Sequence, residues 1–319
     1  MKIVILERNS VGTDVSVDAI GRCGEVTAYA NTTKEEAAGR IADADIVIAN
    51  KTPLNESTLK DAGNVKLICL FATGYDNVDL KYCKSRGIKV ANVVNYSTDA
   101  VAQHTFALCL YLLEKLRHYD DYVKSGQYAA QDRFSNFDIP YTELAGKTWG
   151  IIGMGNIGRK VGRIAQAFGC RVIFHSVTGK SDCTQYERVD FETLLAQSDF
   201  LSLHCPLSSL TRDLINLEAL RKMKKSAILI NVARGPVVND ADLYTALTEG
   251  EIAAAGLDVT GTEPMRESNP LSRFTDSSRL IITPHMAWAS IEARTRCVEE
   301  TCRNIEAFRQ GVDRNIVNC

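Results

Sequence analysis

The sequence lacks several patterns that would assign it to a function class at once. Among its 319 residues no two cysteines are spaced as CxxC and no GxSxG segment occurs, which argues against a zinc ribbon and a serine-hydrolase elbow. No apolar run approaches the roughly 20 residues of a membrane-spanning helix. The formal net charge is −2, so the chain as a whole lacks the excess of positive charge that is typical of nucleic-acid-binding proteins. We therefore expect neither a membrane nor a nucleic-acid partner.

The ten cysteines are scattered along the chain, and their spacing indicates no disulfide framework. Several lie in segments that predict strands or helices, where a free thiol acts as a small apolar side chain. Residues 1–7 contain an apolar run too short for the core of a signal peptide. We therefore expect a reduced, cytoplasmic protein. No His, Cys and Asp side chains are spaced as metal ligands, so we expect no metal.

What the sequence does contain is a repeated alternation of short apolar strands and helical segments. Strands are predicted at residues 3–7, 45–50, 65–72, 89–93, 148–152, 171–175, 200–204, 227–232, 253–259 and 280–283. Their apolar stretches are nearly continuous, as in a parallel sheet covered on both faces. The alternation predicts an α/β protein, and the length predicts about two domains.

One long helix is predicted over residues 100–124, which contain neither glycine nor proline. From residue 101 to residue 113 the segment is apolar almost all round, so several of its sides must be buried. We expect this helix to lie between domains or in a subunit interface. His104 falls within it and is interpreted as a core residue.

A glycine-rich turn is the sharpest local motif. Gly153, Gly155 and Gly158 form GxGxxG between a predicted strand and a predicted helix, which is the setting of a dinucleotide-binding turn. Gly153 permits the tight turn, Gly155 lets the backbone approach a pyrophosphate, and Gly158 lets the helix pack close to the strand.

The next strand of such a unit normally ends in an acid that binds the ribose 2′-hydroxyl. Here the strand ends in Ser176, and Lys180 follows shortly after. Hydroxyl and ammonium groups can donate to a 2′-phosphate. The cofactor is therefore expected to be NAD or NADP, and the choice between them stays open.

Arg234, Glu263 and His285 each follow a predicted strand of the second half of the chain. In open α/β sheets, ligands bind at the carboxyl ends of the strands. A guanidinium holds a carboxylate through two hydrogen bonds, and a histidine exchanges a proton near neutral pH. A glutamate can orient that histidine and stabilise its charged form. Together with the glycine turn, the three residues predict a catalytic site.

These motifs, in this order, resemble the D-isomer-specific 2-hydroxyacid dehydrogenases. The matching segments are residues 72–79, 153–158, 203–207, 231–236, 256–264 and 283–290. Within the family, the sequence His-Met-Ala-Trp-Ala-Ser at residues 285–290 is most similar to glycerate dehydrogenases, the hydroxypyruvate and glyoxylate reductases.

The resemblance implies two doubly wound parallel-sheet domains. A flavodoxin-like substrate domain would comprise residues 1–98 plus 289–319, and a Rossmann cofactor domain residues 99–288. It also implies a homodimer formed through the cofactor domain. Because the sequence ends at Cys319, we expect no added regulatory domain and no feedback control by serine.

The resemblance also implies roles for individual residues. The catalytic residues would be Arg234, Glu263 and His285. Cofactor contacts would come from Gly153, Gly155, Asn156, Ile157, Gly158, Ser176, Cys205, Pro206, Thr211, Val232, Ala233, Arg234, Asp258 and His285. Substrate contacts would come from Lys51, Thr73, Gly74, Arg234 and Trp288.

The predicted function is hydride transfer between NAD(P)H and C2 of a small 2-keto acid, with hydroxypyruvate or glyoxylate as the expected substrate. Glu263 favours a keto acid over formate, since formate dehydrogenases of the superfamily have glutamine there. A D-lactate or D-3-phosphoglycerate dehydrogenase is the alternative within the enzymes. A nucleotide-sensing protein, similar to the corepressors built on this fold, is the alternative outside them.

Overall fold

In the computed structural model, which describes residues 1–318, the chain forms two compact units. The first comprises Met1–Ser97 together with residues from Trp288 onward, and the second comprises Thr98–Ala287. The chain therefore leaves the first unit once and re-enters it near its end. The assignment of substrate binding to one unit and cofactor binding to the other stays a prediction.

The first unit is built on a five-stranded sheet. Its strands are β1 (Lys2–Ile5), β2 (Glu25–Ala28), β3 (Ile46–Ala49), β4 (Leu67–Leu70) and β5 (Lys89–Ala91). They are all parallel and lie in the order β2-β1-β3-β4-β5, which is the flavodoxin-like order of a doubly wound fold. Every residue of β3 and β4 is buried, as their continuous apolar sequence predicts.

Helices α1 (Lys34–Ile41), α2 (Glu56–Leu59) and α3 (Leu80–Ser85) connect these strands. The start of α1 is fixed by a reciprocal cap, in which the Thr33 hydroxyl accepts from Glu36 N–H and the Glu36 carboxylate accepts from Thr33 N–H. Such a capping box satisfies two amide donors that the helix itself leaves unpaired.

The second unit carries a seven-stranded parallel sheet. Its strands are β6 (Thr148–Ile152), β7 (Arg171–His175), β8 (Glu187–Arg188), β9 (Phe200–Leu203), β10 (Ile228–Asn231), β11 (Ala254–Leu257) and β12 (Leu280–Ile282). They lie in the order β12-β11-β10-β9-β6-β7-β8. The order reverses between β6 and β9, and ligands of such folds bind in the crevice at that point. The prediction of two doubly wound parallel sheets is confirmed.

The helices of the second unit are α4 (Thr98–Leu113), α5 (Leu116–Lys124), α6 (Gln127–Ala130), α7 (Asn156–Ala167), α8 (Phe191–Gln197), α9 (Leu217–Lys222) and α10 (Asp240–Glu249). Helix α4 packs on β10, β11, β12 and α7, which explains why it is apolar almost all round.

The prediction of one continuous helix over residues 100–124 is wrong. The backbone of Lys115 has φ 55°, a left-handed conformation that separates α4 from α5. The Lys115 ammonium group donates to the Ser278 carbonyl at 3.4 Å. Helix α5 contains no buried residue, so the two helices have different environments. Neither glycine nor proline marks the break in the sequence.

The last helix, α11 (Ile291–Arg309), belongs to the first unit and packs on β4. Its buried Asn304 donates to the Asn92 carbonyl at 2.9 Å, which ties the helix to the segment after β5. In the part of the chain that the structure describes, no helix combines the length and the apolar character needed to cross a membrane.

Candidate active site

Three neighbouring strands end at one edge of the second sheet. In the register of the sheet, Asn231 of β10 pairs with Leu257 of β11, which pairs with Ile282 of β12. Parallel strands bring the segments that follow them to the same edge. Arg234, Glu263 and His285 lie in those following segments.

His285 and Glu263 are in direct contact. The Nδ1 atom of His285 lies 2.7 Å from Oε2 of Glu263, and the other carboxylate oxygen accepts from the Thr260 N–H at 3.3 Å. Both side chains are partly exposed, 28% for His285 and 34% for Glu263. An ionised carboxylate only accepts hydrogen bonds, so Nδ1 carries a proton. Nε2 of His285 is then the ring nitrogen that can exchange a proton with a ligand.

The backbone of His285 has φ 56°, which is uncommon for a residue other than glycine. Hydrogen bonds to Asp258 hold this conformation. The His285 N–H donates to the Asp258 carbonyl at 2.8 Å, and the Asp258 carboxylate accepts from Met286 N–H at 2.7 Å and Ala287 N–H at 2.8 Å. Asp258 therefore anchors the loop that carries His285. Its expected contact with the cofactor stays a prediction.

Arg234 lies in the turn after β10 and is half-buried. The turn is fixed by Asn231, whose amide group donates to the Arg234 carbonyl at 3.0 Å. Gly235 packs against the segment before Glu263 so closely that a Cβ there would overlap the Thr260 carbonyl. Close packing at Gly235 thus brings the turn of Arg234 against the segment that leads to Glu263.

The glycine turn lies at the switch point of the second sheet, between the ends of β6 and β9. Gly153 has φ 93°, and a Cβ there would be 2.7 Å from the Cys205 nitrogen. A Cβ on Gly158 would overlap the Gly153 carbonyl, whereas a Cβ on Gly155 would meet nothing within 4 Å. Gly155 precedes the first residue of α7 and offers no side-chain cap. The open space at Gly155 and the helix start fit a dinucleotide pyrophosphate.

The remaining predicted cofactor residues lie in the segments that follow strands of the same sheet. Asn156 and Ile157 open α7, and Ser176 directly follows β7 with 9% of its surface exposed. After β9, the hydroxyl of Thr211 donates to the Pro206 carbonyl at 2.8 Å. Buried or half-buried residues complete the set: Cys205, Val232 and Ala233.

His204, at the end of β9, is a different kind of histidine from His285. Its Nε2 lies 3.0 Å from the Ser202 hydroxyl, and its Nδ1 is buried without a partner in the described chain. Burial lowers the pKa of His204 to about 3. The ring is therefore neutral near pH 7 and cannot serve there as a proton donor in its charged form.

The other predicted substrate residues belong to the first unit. Lys51 follows β3 and is exposed. The Thr73 hydroxyl donates to the Val93 carbonyl at 2.7 Å, beside Gly74. Trp288 stacks edge-on against Tyr96, with ring centroids 6.1 Å apart.

Sequence reasoning missed Glu7, which follows β1. Its carboxylate accepts hydrogen bonds from the backbone N–H groups of Asn50, Lys51 and Thr52, at 2.7 to 3.1 Å. Glu7 therefore fixes the backbone that carries Lys51. An acid at the last position of the first predicted strand is the only signal in the sequence, and an exposed acid gives the same signal.

Among the described residues, no group of three or more His, Cys, Asp and Glu side chains could hold a metal ion.

The fold and this edge of the sheet define the chain as a dinucleotide-dependent α/β dehydrogenase. Residues 106–287 match the family model described as D-isomer specific 2-hydroxyacid dehydrogenase, NAD binding domain. The chain belongs to the D-isomer-specific 2-hydroxyacid dehydrogenase family, as the sequence motifs predict.

Similar proteins cover the whole chain. It is 38% identical to a hydroxypyruvate reductase of Blautia hydrogenotrophica, over 100% of both chains. It is 39% identical to a glycerate dehydrogenase of Methylorubrum extorquens, over 99% of this chain and 98% of that protein. The structure of a D-lactate dehydrogenase from Aquifex aeolicus, solved with NAD and lactic acid, matches 100% of this chain and 99% of that one with TM-score 0.87 and 29% identity.

Proposed function

We propose that this chain catalyses reversible hydride transfer between a nicotinamide cofactor and C2 of hydroxypyruvate or glyoxylate, which gives D-glycerate or glycolate. The 2.7 Å contact between His285 and Glu263, at the carboxyl edge of the second sheet, carries the proposal. The similarity to a hydroxypyruvate reductase and a glycerate dehydrogenase supports the choice of substrate.

Each of the three residues then has one task. The bound nicotinamide supplies or accepts the hydride. His285 gives a proton from Nε2 to the carbonyl oxygen during reduction and takes it back during oxidation. Glu263 holds the ring through Nδ1, which leaves Nε2 as the ring nitrogen that can meet the substrate. Arg234 binds the substrate carboxylate and polarises the carbonyl group.

We propose that residues 99–288 bind the cofactor and that residues 1–98 with 289–319 bind the substrate. The open space at Gly155 supports the first assignment. Lys51, Thr73 and Gly74 are the proposed substrate residues of the other domain. The hydrogen bond from the Lys51 N–H to the Glu7 carboxylate supports that assignment, because the backbone of a binding loop must be held in place. Trp288, the last residue of the cofactor range, is also proposed to bind the substrate, and the structure counts it with the first unit.

The test is the loss of absorbance at the reduced-nicotinamide band. NADH and NADPH are each supplied with hydroxypyruvate, glyoxylate, pyruvate or phosphohydroxypyruvate. Fast oxidation with hydroxypyruvate or glyoxylate is expected. Preference for pyruvate would favour a D-lactate dehydrogenase, in line with the Aquifex structure. Tight nucleotide binding without turnover of any acid would favour a nucleotide sensor.

Replacement of His285 tests the acid–base role. We expect His285→Ala to lower kcat by about 100- to 10,000-fold, because general acid–base catalysis contributes that much. The affinity for NADH, measured by fluorescence titration, should stay near the wild-type value. The matched control is His118→Ala in α5, which should keep the wild-type rate. Near-normal turnover of the His285 variant would remove that residue from the mechanism.

We further propose that the chain accepts NADPH as well as NADH. The buried Ser176 and the exposed Lys180 nearby place no acid against a 2′-phosphate. Ser176→Asp should lower kcat/KM for NADPH by at least about tenfold through charge repulsion, and should spare NADH. Ser176→Ala is the uncharged control. An equal decrease of kcat/KM with NADPH and with NADH in Ser176→Asp would contradict the proposal.

A homodimer formed through the second unit is also proposed. Large apolar side chains are exposed there on α5 and in the segments that follow α6 and α7, with Phe134 90% and Phe137 73% exposed. Exposed apolar patches are typical of interaction sites, and we propose that these side chains form one. Light scattering should give twice the chain mass, and Phe134→Glu with Phe137→Glu should give the single-chain mass. Val312→Glu, at an exposed apolar residue of the first unit, is the control.

We also propose a cytoplasmic location. The nine described cysteines are free and buried, which fits a compartment that keeps thiols reduced.

A further inference from the structure

His104 of α4 points at the buried carboxylate that anchors the His285 loop. Its Nε2 lies 2.9 Å from the Thr283 hydroxyl and 3.5 Å from Oδ1 of Asp258. Asp258 is 1% exposed, whereas the His104 side chain is 22% exposed. The sequence interpretation of His104 as a core residue does not account for this contact, because the ring faces polar groups at the end of the sheet.

The directions of these hydrogen bonds follow from the carboxylate. The Thr283 oxygen lies 2.6 Å from Oδ1 of Asp258, which also accepts from the Met286 N–H. An ionised carboxylate accepts only, so the single hydroxyl proton of Thr283 is donated to Asp258. The Thr283 oxygen must then accept from His104, whose Nε2 carries a proton.

The resulting chain of contacts joins α4 to the acid–base residue. His104 donates to Thr283, Thr283 donates to Asp258, and Asp258 holds the backbone from residue 285 to residue 287. Because His285 has the left-handed φ of 56°, its side-chain direction depends on those backbone hydrogen bonds. A buried carboxylate is also held more firmly when each of its oxygen atoms has a donor.

We propose that His104 is a positioning residue for His285, acting through Thr283 and Asp258. The proposal rests on the acid–base role of His285 under the proposed function. Without the His104 donor, the Thr283 oxygen no longer accepts a hydrogen bond and its hydroxyl can rotate. The hydrogen bond that Thr283 donates to the Asp258 carboxylate is then no longer held in one direction. The His285 ring then departs from the alignment that proton transfer to the substrate carbonyl requires, while the cofactor turn at Gly153 is untouched.

The test compares His104→Leu with His104→Gln. The amide nitrogen of glutamine can donate where Nε2 does, so the glutamine variant should keep most of the rate. The leucine variant should lower kcat by about 10- to 100-fold, the usual cost of a small misplacement of a catalytic group, with unchanged affinity for NADH. His118→Leu makes the same replacement outside these contacts and should keep the wild-type kcat.

A second measurement does not depend on turnover. The chain has five histidines, so selective ¹⁵N labelling gives five imidazole spin systems that single substitutions can assign. In His104→Leu the His285 signal should shift, whereas the His118 and His175 signals should not. Thr283→Val should give the same shift, and Thr283→Ser should not. The double variant His104→Leu, Thr283→Val should be no slower than Thr283→Val alone, because the two residues act in series.

A wild-type kcat in His104→Leu, or an unmoved His285 signal, would overturn the proposal. Equal loss in the leucine and glutamine variants would also overturn it, since the donor would then be irrelevant. If the wild-type protein oxidises no reduced nicotinamide with any keto acid, the proposed function fails. The imidazole signals still decide in that case whether His104 holds His285.

Discussion

Individual side chains at the carboxyl edge of the second sheet have separate tasks that burial and partners decide. His285 is partly exposed and paired with Glu263, so it can exchange a proton with a ligand. His204 is a neutral residue beside Ser202 at the end of β9. Residue type alone does not distinguish them, because both histidines lie within three residues of the end of a strand.

His204 should make the protein acid-sensitive. Burial lowers its folded-state pKa to about 3 from the ordinary 6.5, so below pH 6.5 the unfolded chain binds a proton that the folded chain does not. The unfolding free energy therefore falls with pH from about 6.5 towards 3, by about 2 kcal/mol between pH 7 and pH 5. The unfolding free energy of His204→Gln, measured with denaturant, should not show the part of the decrease between pH 7 and pH 5 that His204 causes.

Trp149 is buried in the second sheet, so its fluorescence in a Trp288→Phe background reports the unfolding of that unit. Above pH 7.5 the wild-type and His204→Gln unfolding free energies should run parallel, because the unfolded histidine is neutral there. A wild-type decrease that persists in the variant would contradict the assignment to His204.

The sequence predicts the positions of some of these side chains and not the contacts of others. The place of Arg234, Glu263 and His285 at one edge of the sheet is predictable because each follows a strand of a parallel sheet. Their shared catalytic role stays a prediction. The contacts of His104 are not predictable, since a histidine within an apolar helix gives no sign of the loop it will meet. Glu7 is missed for the same reason, because its partners are backbone N–H groups 43 to 45 residues away.

Two glycines at the start of α7 have different roles. Gly158 is required for close packing, whereas Gly155 faces the open space of the proposed ligand site. Gly158→Ala should destabilise the second unit by about 1–3 kcal/mol, because its Cβ would overlap the Gly153 carbonyl. Gly155→Ala meets nothing within 4 Å, so its effect on stability should stay within about 0.5 kcal/mol. The proposed pyrophosphate site predicts that Gly155→Ala still binds NADH more weakly.

Denaturant unfolding and NADH titration of the two variants check this contrast. A Gly155→Ala variant with wild-type affinity would argue against a pyrophosphate at that point. A stable Gly158→Ala variant would show that the turn can relax around the added methyl group.

Elements buried on both faces are the ones that the sequence predicts. The strands β3 and β4 are entirely buried, and the sequence predicts them as apolar runs. It does not predict the strands β2 and β8, because they lie at sheet edges and are largely exposed. It does not predict the break between α4 and α5 either, because Lys115 adopts its left-handed φ in tertiary contact with Ser278, which no local sequence signal encodes.

For the whole molecule, the cysteines give a test that covers both units. The nine described cysteines are buried, and burial raises the pKa of Cys170 and Cys205 to about 11. The reactive thiolate is therefore scarce at pH 8. A disulfide reagent such as Ellman's should label these thiols slowly in the native protein and all ten quickly after unfolding.

Cys319 lies outside the described residues. The control variant Cys319→Ser lacks this thiol, so any rapid reaction that it shows comes from the other nine cysteines. Rapid labelling of two or more thiols in the control variant would show that a unit opens readily in solution. Saturating NADH should slow the labelling of Cys205 in particular if the cofactor lies over the end of β9.

The left-handed backbone of His285 has a consequence for how this protein is maintained by selection. Glycine adopts φ 56° without steric cost, whereas a residue with a side chain pays about 1 kcal/mol there. His285→Gly should accordingly unfold less readily than His285→Ala by about that amount, although the proposed function predicts that both are inactive. Selection for thermal resilience alone would drift towards glycine at this position. Under the proposed acid–base role of His285, selection for turnover is what keeps a histidine at this position.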